Sequence, residues 1–475
     1  MSRDITCQRC PDTEQTDCSF VRLHKPGTFQ RRPAPGWHDR RMTSTAPPDQ
    51  VARAHREYAD RNPQSRRHYD RARKVLPGGH TRTVLTHAPF PLTFVAGEAA
   101  TITDVDGHTY IDLLGDYTAG LLGHSELRVR HAVIAALERN TSVGGIHPAE
   151  AELAELMCAR FGLDRVRFTN SGSEANLMAV TTAMMATGRR RLMVIDGGYH
   201  GGLMTFAHGV APWNVPYEFV LAPYNDLAAC EALIAANADS LAAVLIEPMM
   251  GSGGCLPATP EFLGGLFAAA RKVGAICIAD EVMTSRHGPR GLAALLGAPA
   301  DITTFGKYIG GGFSFGAFGG RADLLDQFDT SPEGARTRVI SHAGTFNNNV
   351  ASINAGVVVL RDIFTSDVAV AHTARGDEFR ADIAALINRH HVPVSITGYG
   401  SMMVLHACAT PPTTPHEADA RDAALQEQLY FGLLERGIYT AARGMINLGL
   451  AHTDDQLAAA LAALDDLLTS LEHDG

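Results

Sequence analysis

Short, continuous apolar runs alternate with longer amphipathic segments through the middle of the chain. The apolar runs are rich in β-forming residues and predict strands at residues 165–169, 192–196, 218–222, 242–247, 275–280 and 302–305. Most are separated by segments with helical spacing, such as residues 174–187, 227–236 and 260–273. Apolar strands that alternate with helices are typical of a largely parallel sheet covered on both faces. The pattern therefore predicts an α/β fold.

The segments that flank this α/β core have mixed patterns. In the segment before the first core strand, the spacing of apolar residues predicts helices over residues 50–75 and 128–138. It also predicts short strands within residues 92–113, around an Asp106-Gly107 turn. After residue 360 it predicts helices over residues 368–388, 418–435 and 455–471 and strands over residues 392–397, 402–406 and 445–450. We expect a disordered leader (residues 1–48), a large domain (residues 113–360) and a small α+β domain from both ends (residues 49–112 and 361–475).

The composition narrows the class of protein. The chain has 475 residues, 45% hydrophobic and 19% charged, which is typical of a globular protein with a large core. A formal net charge of −10 argues against nucleic acid or an anionic membrane as the main partner. No segment approaches the roughly 18 apolar residues of a membrane span, and the opening residues lack the apolar stretch of a signal peptide. Eight cysteines do not indicate a disulfide scaffold here, so we expect a cytoplasmic protein.

The leader contains a pattern that suggests a metal site. Four potential ligands are spaced as three thiolates and an imidazole around zinc, namely Cys7, Cys10, Cys18 and His24. Their surroundings are polar and have no apolar periodicity, so no core would pack around such a site. We therefore predict a disordered leader and no metal, with Met42 as an alternative start and folded structure from about Asp49.

The residues that follow the strands carry most information about ligands, because ligands of parallel sheets bind beyond the carboxyl ends of the strands. The first strand of the core is followed by Ser171, Gly172 and Ser173, and Ser171 and Glu174 have the spacing of a capping box. The free N–H groups and the positive dipole end of such a helix start suit a phosphate. By itself this signal is weak, since most capped helix starts bind no ligand.

The other strands end in residues of distinct chemistry, namely Tyr199, Glu247, Asp280 and Lys307. Asp280 closes an apolar run, where a carboxylate must be paired or functional because a lone buried charge is too costly. A phosphate site, an aromatic ring, an anion and an amine at one sheet edge are the set that pyridoxal 5′-phosphate (PLP) requires. A dinucleotide would require a Gly-x-Gly-x-x-Gly turn after the first strand, and the sequence lacks it in that order. We predict PLP as the cofactor.

Six longer motifs occur along the chain in a fixed order, namely RFTNSGSEANLMAV (residues 167–180), GGYHGG (197–202), IEPM (246–249), ADEVMTSR (279–286), TFGKYIGGGFSFGAFGG (304–320) and HAGTFNNN (342–349). With them the chain resembles the class III aminotransferases and glutamate-1-semialdehyde aminomutases, which are PLP enzymes of fold type I. The resemblance extends from about residue 50 to the C-terminus. It implies a largely parallel central sheet flanked by helices, with a smaller α+β domain.

The resemblance implies a role for each residue around the cofactor ring. Lys307 forms the Schiff base with PLP and then moves the proton between substrate and cofactor. Asp280 pairs with the pyridinium nitrogen and keeps it protonated. Tyr199 and Val282 cover opposite faces of the ring, and Glu247 belongs to the cofactor-binding set.

The resemblance also implies an active site shared between two subunits. Ser171, Gly172 and Ser173 hold the phosphate, and Thr345 reaches the phosphate of the neighbouring subunit, so a homodimer is expected. Met283 departs from the glutamine that many class III transaminases carry after Asp-Glu-Val. The partner of the ring O3′ atom is therefore open.

Two segments of the chain distinguish an aminotransferase from an aminomutase. Aminomutases resembling this chain carry a serine and an arginine after Pro-Gly-Gly, whereas here Arg82 stands at the serine position and Leu85 at the arginine position. Their glutamate near the C-terminus is also missing, and Arg443 and Gly444 occupy its neighbourhood. These features resemble aminotransferases of β-amino acids, such as the β-phenylalanine aminotransferases.

The resemblance implies that Arg82 binds the carboxylate of a β-amino acid and that Arg443 binds the distal carboxylate of a keto acid such as 2-oxoglutarate, with pyruvate as another acceptor. The structural alternatives are a surface position for Arg82 and an ion pair of Arg443 with Glu435. His124 and His200 are expected either to support residues of the site from behind or to be structural. The rival functions are an intramolecular aminomutase and a PLP-binding regulator, and the leader has no helix-turn-helix pattern for the latter.

Overall fold

A computed structural model describes residues 48–331 and 339–473 of the chain. The predicted leader up to residue 47, including Met42, lies outside the described residues. So do the four potential zinc ligands, Cys7, Cys10, Cys18 and His24. Within the described ranges, no helix combines the length and apolar character needed to cross a membrane.

The described chain begins with two helices, α1 (Pro48–Arg61) and α2 (Pro63–Ala72). The prediction of one helix over residues 50–75 is therefore wrong. Asn62, between the helices, has a φ of −121° and a ψ of 50°, because a residue before proline is excluded from the helical region. The hairpin signal is confirmed, since β1 (Phe94–Glu98), β2 (Thr101–Asp104) and β3 (Thr109–Asp112) form an antiparallel sheet with a turn at Gly107.

A seven-stranded sheet forms the centre of the protein, in the order β4-β12-β11-β10-β7-β5-β6. Its strands are β4 (Arg165–Thr169), β5 (Arg191–Ile195), β6 (Glu218–Ala222), β7 (Leu241–Ile246), β10 (Ile276–Asp280), β11 (Ile302–Gly306) and β12 (Gly316–Gly320). A separate short hairpin comprises β8 (Met249–Met250) and β9 (Leu256–Pro257). The six predicted strands are confirmed. All six run in the same direction, and the unpredicted β12 lies antiparallel between β11 and β4.

Helices cover both faces of this sheet. They are α3 (Leu127–Arg139), α4 (Pro148–Phe161), α5 (Gly172–Thr187), α6 (Leu227–Ala236), α7 (Pro260–Lys272), α8 (Leu292–Leu295) and α9 (Ala322–Leu325). All six residues of β7 are buried. Val244 and Ile246 pack in one apolar cluster, whereas Ala243 and Leu245 pack in another, so successive side chains enter cores on opposite faces. The expected α/β fold is therefore confirmed.

The last part of the chain forms α10 (Val350–Val358), α11 (Ser366–Ile387), α12 (Pro415–Asp419), α13 (Ala423–Glu435) and α14 (Asp454–His473), with strands β13 (Ser395–Tyr399), β14 (Met402–His406), β15 (Ile438–Tyr439) and β16 (Met445–Asn447). The helix predicted over residues 418–435 is divided, and the strand predicted at residues 392–397 begins three residues later. β15 pairs in parallel with β3, so both ends of the chain contribute to one sheet. The proposed domain boundaries stay a prediction.

The contact between the end of α11 and α14 leads to a pH-dependent prediction. His390 lies 2.8 Å from Asp465 and 3.2 Å from Glu472, and hydrogen bonds to these carboxylates raise the pKa of His390 above its usual value. A raised pKa stabilises the fold below about pH 6.5, and this stabilisation is lost as the pH rises through the folded-state pKa. The His390→Gln variant should therefore melt about 1–2 °C below wild type at pH 5.5 and match it at pH 8.5. An equal deficit at both pH values in thermal unfolding would contradict the ion pair.

Candidate active site

A cleft of about 970 Å³ lies at the carboxyl ends of the parallel strands. Nine of the predicted site residues line it, namely Arg82, Ser171, Gly172, Ser173, Tyr199, Glu247, Asp280, Val282 and Lys307. They come from segments far apart in the sequence, and the sheet brings them together as expected for strand ends. Thr345 and Arg443 are not among the described residues that line the cleft.

One wall of the cleft is the start of α5. Ser171 is the N-cap, and its hydroxyl accepts the N–H of Glu174 at 3.2 Å. The Glu174 carboxylate accepts the N–H of Asn170 at 2.9 Å, one residue earlier than in a standard capping box. The N–H groups of Gly172 and Ser173 belong to the first helical turn and have no acceptor within the helix. The cleft therefore contains a preformed site for an anionic group.

Asp280 lies at the end of β10 and is held by four groups. Its Oδ2 atom accepts a hydrogen bond from Asn176 at 2.7 Å and lies 2.8 Å from Nδ1 of His200. Its Oδ1 atom accepts from the N–H of Val282 at 3.1 Å and from the hydroxyl of Thr304 at 3.5 Å. These four groups fix the orientation of the carboxylate. Asp280 is therefore a buried, oriented carboxyl group that lines the cleft.

Glu247 connects two loops at the cleft. Its carboxylate accepts the N–H of Tyr199 at 2.9 Å and the N–H of Gly251 at 3.0 Å. Burial raises the pKa of Glu247 to about 7, against the opposing charge of His200. Because both acceptor bonds go to backbone N–H groups, Glu247 positions the loop that carries Tyr199.

Lys307 follows β11 and has an unusual backbone conformation. Its φ is +53°, in the left-handed region that a residue with a Cβ atom rarely adopts. Such strain persists only where the surroundings impose it, and it is concentrated at functional sites. Burial lowers the pKa of the Lys307 ammonium below its usual range, while the charges of Asp280 and Glu247 oppose this shift. The amine is thereby brought closer to the neutral form that a nucleophile needs.

Val282 and Tyr199 line the cleft from different loops. The methyl groups of Val282 pack so closely on Gly172 that a Cβ atom at position 172 would lie 2.7 Å from one of them. Tyr199 follows β5 and keeps 45% of its surface exposed. An apolar group and an aromatic ring are thus available for a planar ligand, while the amides of α5 are available for its phosphate.

Two arginines approach one aromatic ring beside the cleft. The guanidinium carbon of Arg82 lies 5.6 Å from the centroid of the Tyr117 ring, and that of Arg443 lies 5.4 Å from it. Arg82 forms an ion pair with Asp116 at 2.5 Å. Arg443 donates to the hydroxyl of Ser252 at 3.2 Å, and its Nε atom is buried without a hydrogen-bond partner. Both arginines therefore have capacity for a further acceptor near the cleft.

The segment that carries Asp116 and Tyr117 is strained. Within Gly115–Thr118 the three residues with side chains have φ values of +43°, +53° and +79°. The Tyr117 hydroxyl donates to the carbonyl of Val84 at 3.0 Å, which links the turn to the segment that contains Arg82. This left-handed turn therefore determines where the two arginines meet the ring.

The sequence left two structural explanations open, an ion pair of Arg443 with Glu435 and a surface position for Arg82. Glu435 lies 3.7 Å from Arg61, so its suggested pairing with Arg443 is wrong. Arg82 is partly exposed but is held by Asp116 at the cleft rather than lying free on the surface. Thr345 is exposed in a turn and is not among the residues that line the cleft.

Sequence reasoning missed several residues of the site. Asn176, which binds Asp280 directly, lies just over one turn into α5, and nothing in its local sequence marks it as a site residue. Asp116 and Tyr117 were not predicted as site residues, because neither position carries the glycine that usually marks a left-handed backbone. His200 binds Asp280, and His124 lies 2.8 Å from Asp112, so both histidines have carboxylate partners, as expected of structural residues.

The geometry fits the cofactor that the sequence predicts. PLP requires donors for a phosphate, an anion for a protonated ring nitrogen, groups for both ring faces and an amine. The cleft provides the amides of the α5 start, the oriented Asp280, Tyr199 and Val282, and the strained Lys307. No described group of three or more His, Cys, Asp or Glu residues has the geometry of a metal site.

Comparisons with known proteins agree with this geometry. Residues 85–468 match the family model described as aminotransferase class-III. The chain is 44% identical over 428 residues to a beta-phenylalanine transaminase from Variovorax paradoxus, covering 90% of this chain and 98% of that protein. It is 37% identical over 427 residues to a glutamate-1-semialdehyde 2,1-aminomutase from Deinococcus radiodurans, covering 83% and 94%. The crystal structure of a beta-phenylalanine aminotransferase from Variovorax paradoxus matches with a TM-score of 0.86 at 44% identity, covering 89% and 97%.

Proposed function

Because the chain belongs to the class III aminotransferases, PLP-dependent transaminases of fold type I, we propose that it transfers the amino group of a β-amino acid to a keto acid. An aromatic donor such as β-phenylalanine and an acceptor such as 2-oxoglutarate or pyruvate fit the proposal. The observation that carries it is the pair of guanidinium groups, Arg82 and Arg443, on the ring of Tyr117. A transaminase binds two carboxylates in turn, and each needs a fixed cationic partner.

The proposed roles of the residues follow from their contacts. PLP, when bound, supplies a ring that accepts the electrons of the bond broken at the substrate carbon. Lys307 would hold the cofactor through its ε-amine and, once freed, carry the proton that leaves the substrate. Asp280 would hold the proton on the ring nitrogen, since its carboxyl group is already oriented by Asn176 and His200. Tyr199 and Val282 would confine the ring, and Glu247 would keep Tyr199 in place.

The phosphate site is proposed to be completed by a second copy of the chain. Ser171, Gly172 and Ser173 offer a hydroxyl and first-turn amides. Thr345 lies in an exposed turn, which is available to a partner and does not line the cleft of its own subunit. A homodimer with shared active sites therefore fits these positions, and a cytoplasmic location stays a prediction.

Arg82 gives the sharpest prediction about the donor. The Arg82→Ala variant should raise the KM for a β-amino acid by about 10- to 100-fold, because a charged hydrogen bond to the carboxylate is lost. The KM of the Arg82→Lys variant should lie between those of wild type and Arg82→Ala. Lysine keeps the positive charge but cannot form the two parallel hydrogen bonds of a guanidinium group. Steady-state kinetics with β-phenylalanine measure the effect. Arg130→Ala is the matched control, because Arg130 is an exposed arginine in the same cleft. An unchanged KM in Arg82→Ala would remove Arg82 from the donor site.

An amino-donor panel tests the proposed reaction as a whole. The purified holoenzyme is incubated with α- and β-amino acids, each with 2-oxoglutarate and with pyruvate, and the new amino acid is quantified. We expect amino transfer from β-amino acids that depends on the acceptor. Isomerisation of glutamate-1-semialdehyde without any keto acid would instead make the chain an aminomutase and overturn the proposal.

A further inference from the structure

A second group of buried polar side chains lies outside the cleft and centres on Arg286. Arg286 follows Asp280 by six residues and has 1% of its surface exposed. One guanidinium nitrogen, Nη2, donates to the backbone carbonyl of Leu448 and lies 3.2 Å from Nε2 of His372. The other two nitrogens, Nε and Nη1, are buried and have no hydrogen-bond partner. Among the described residues, no carboxylate pairs with Arg286.

Several neighbours of Arg286 also have unpaired polar atoms. Both ring nitrogens of His287 are buried without a partner, and so are the hydroxyls of Ser285 and Ser401. The His287 ring packs against the turn that contains Ser401, since a Cβ atom at Gly400 would lie 2.6 Å from Nδ1 of His287. We refer to these side chains together as the Arg286 cluster, namely Ser285, Arg286, His287, His372 and Ser401.

The Arg286 cluster carries a net positive charge. Burial lowers the pKa of His287 well below its usual value and that of His372 to about 3, and the charge of Arg286 adds to both shifts. Both rings are therefore neutral at pH 7. Burial lowers the pKa of Arg286 only to about 10, so the guanidinium stays protonated. The cluster thus holds one buried cation.

The nearby acidic residues bind other groups. On α11, Asp377 accepts the N–H of Gly400 at 2.9 Å and pairs with Arg380 at 2.7 Å. Arg375 of the same helix pairs with Asp454, an exposed residue, at 2.7 Å. These carboxylates therefore have cationic partners of their own and supply no counter-charge for Arg286.

A buried cation without a counter-charge is costly, and water can satisfy its N–H groups but cannot cancel its charge. We propose that the Arg286 cluster binds a small monovalent anion, of which chloride is the abundant example. Its ligands are Nε and Nη1 of Arg286, an N–H of His287 and the hydroxyls of Ser285 and Ser401. This set combines a single positive charge with several buried hydrogen-bond donors that have no partner, which suits a small anion.

The position of the site indicates what the anion would stabilise. The backbone carbonyl of Ser285 accepts the hydroxyl of Tyr308 at 3.2 Å, and Tyr308 follows Lys307 directly. Gly288, two residues after Arg286, donates its N–H to Thr373 of α11 at 3.0 Å. The anion therefore lies where the segments following Asp280 and Lys307 meet the C-terminal elements, and it would position all three. The inference does not depend on the substrate of the enzyme.

Thermal unfolding of the holoenzyme tests the proposal. At constant pH and ionic strength, sodium gluconate is replaced stepwise by chloride, bromide or formate. We expect a saturable rise in apparent Tm of about 2 °C or more with the small anions, because a ligand of the folded state stabilises it by mass action. Arg286→Met should lose this dependence. Arg375→Met is the matched control and should retain it, since Arg375 is a nearby arginine that has its own acidic partner.

A crystal grown in bromide locates the anion. We expect an anomalous peak within hydrogen-bond distance of Arg286, which separates this site from binding at the arginines of the cleft. A wild-type Tm that is the same in all four salts, together with no anomalous peak at Arg286, would overturn the proposal and leave water in the cluster. If Arg286→Met does not fold, the wild-type salt series and the anomalous map still decide.

Discussion

Replacing Lys307 with alanine should lower turnover by about 10⁴-fold or more and abolish borohydride fixation of the cofactor to the chain. General acid–base catalysis alone contributes about 10²- to 10⁴-fold, and the variant loses covalent attachment of the cofactor as well. Three features of the structure identify Lys307 as the lysine that would hold the cofactor. Lys307 lines the cleft, has a strained φ of +53° and has a pKa lowered by burial.

The composition of the chain makes this experiment unusually selective. Lysine occurs at only four positions, namely Lys25, Lys74, Lys272 and Lys307. Lys272 is exposed at the end of α7, so Lys272→Ala is the matched control and should keep full activity and labelling. After reduction, mass spectrometry of peptides should find the cofactor on Lys307. Label on another lysine, or normal turnover in Lys307→Ala, would contradict the assignment.

Replacing Asp280 with asparagine should lower kcat by about 10²- to 10³-fold, which is typical of removing one oriented electrostatic partner of a reacting group. The carboxylate is fixed by Asn176, His200, Val282 and Thr304, so its charge acts from one position. Asparagine keeps the volume but cannot hold a proton on the ring nitrogen. The loss should therefore appear in kcat more than in the KM of the donor.

A cofactor analogue separates charge from folding in the Asp280→Asn variant. Methylation of the pyridine nitrogen gives the ring a permanent positive charge, so loading the variant with this analogue should restore part of the lost rate. Asp301→Asn is the matched control, because Asp301 is a buried aspartate that binds Arg271 and Arg321 outside the cleft. Equal loss of kcat in both variants, without rescue by the analogue, would indicate a structural role for Asp280.

The central strands were predictable because they are buried on both faces. β7 consists of six buried apolar residues, a run typical of a parallel strand covered on both faces. β12 was missed because its sequence, Gly-Ala-Phe-Gly-Gly, has little intrinsic strand preference. It pairs with β11 and β4, and a side chain at Gly316 would collide with the backbone of Ser171. Close packing, rather than propensity, therefore places a strand there.

Helix boundaries were less predictable than strands. The amphipathic pattern over residues 50–75 is continuous, yet the backbone of Asn62 cannot stay helical before Pro63. α4 was missed altogether, although Pro148 at its start and the left-handed Gly162 after its end are usable signals. Proline and glycine residues therefore indicate the ends of these helices better than the spacing of apolar residues does.

The sequence by itself determined the α/β fold, the PLP chemistry at the strand ends and the identity of Lys307 and Asp280 as candidates, since these depend on burial and on residue type. Only the tertiary structure brought both Arg82 and Arg443 to the ring of Tyr117 and paired Arg82 with Asp116. It also left Arg286 buried without a counter-charge. The physical reason is that these contacts join segments that are far apart in the sequence. They depend on how the strands, the turns and the left-handed Gly115–Thr118 segment pack together, and no local sequence pattern encodes such packing.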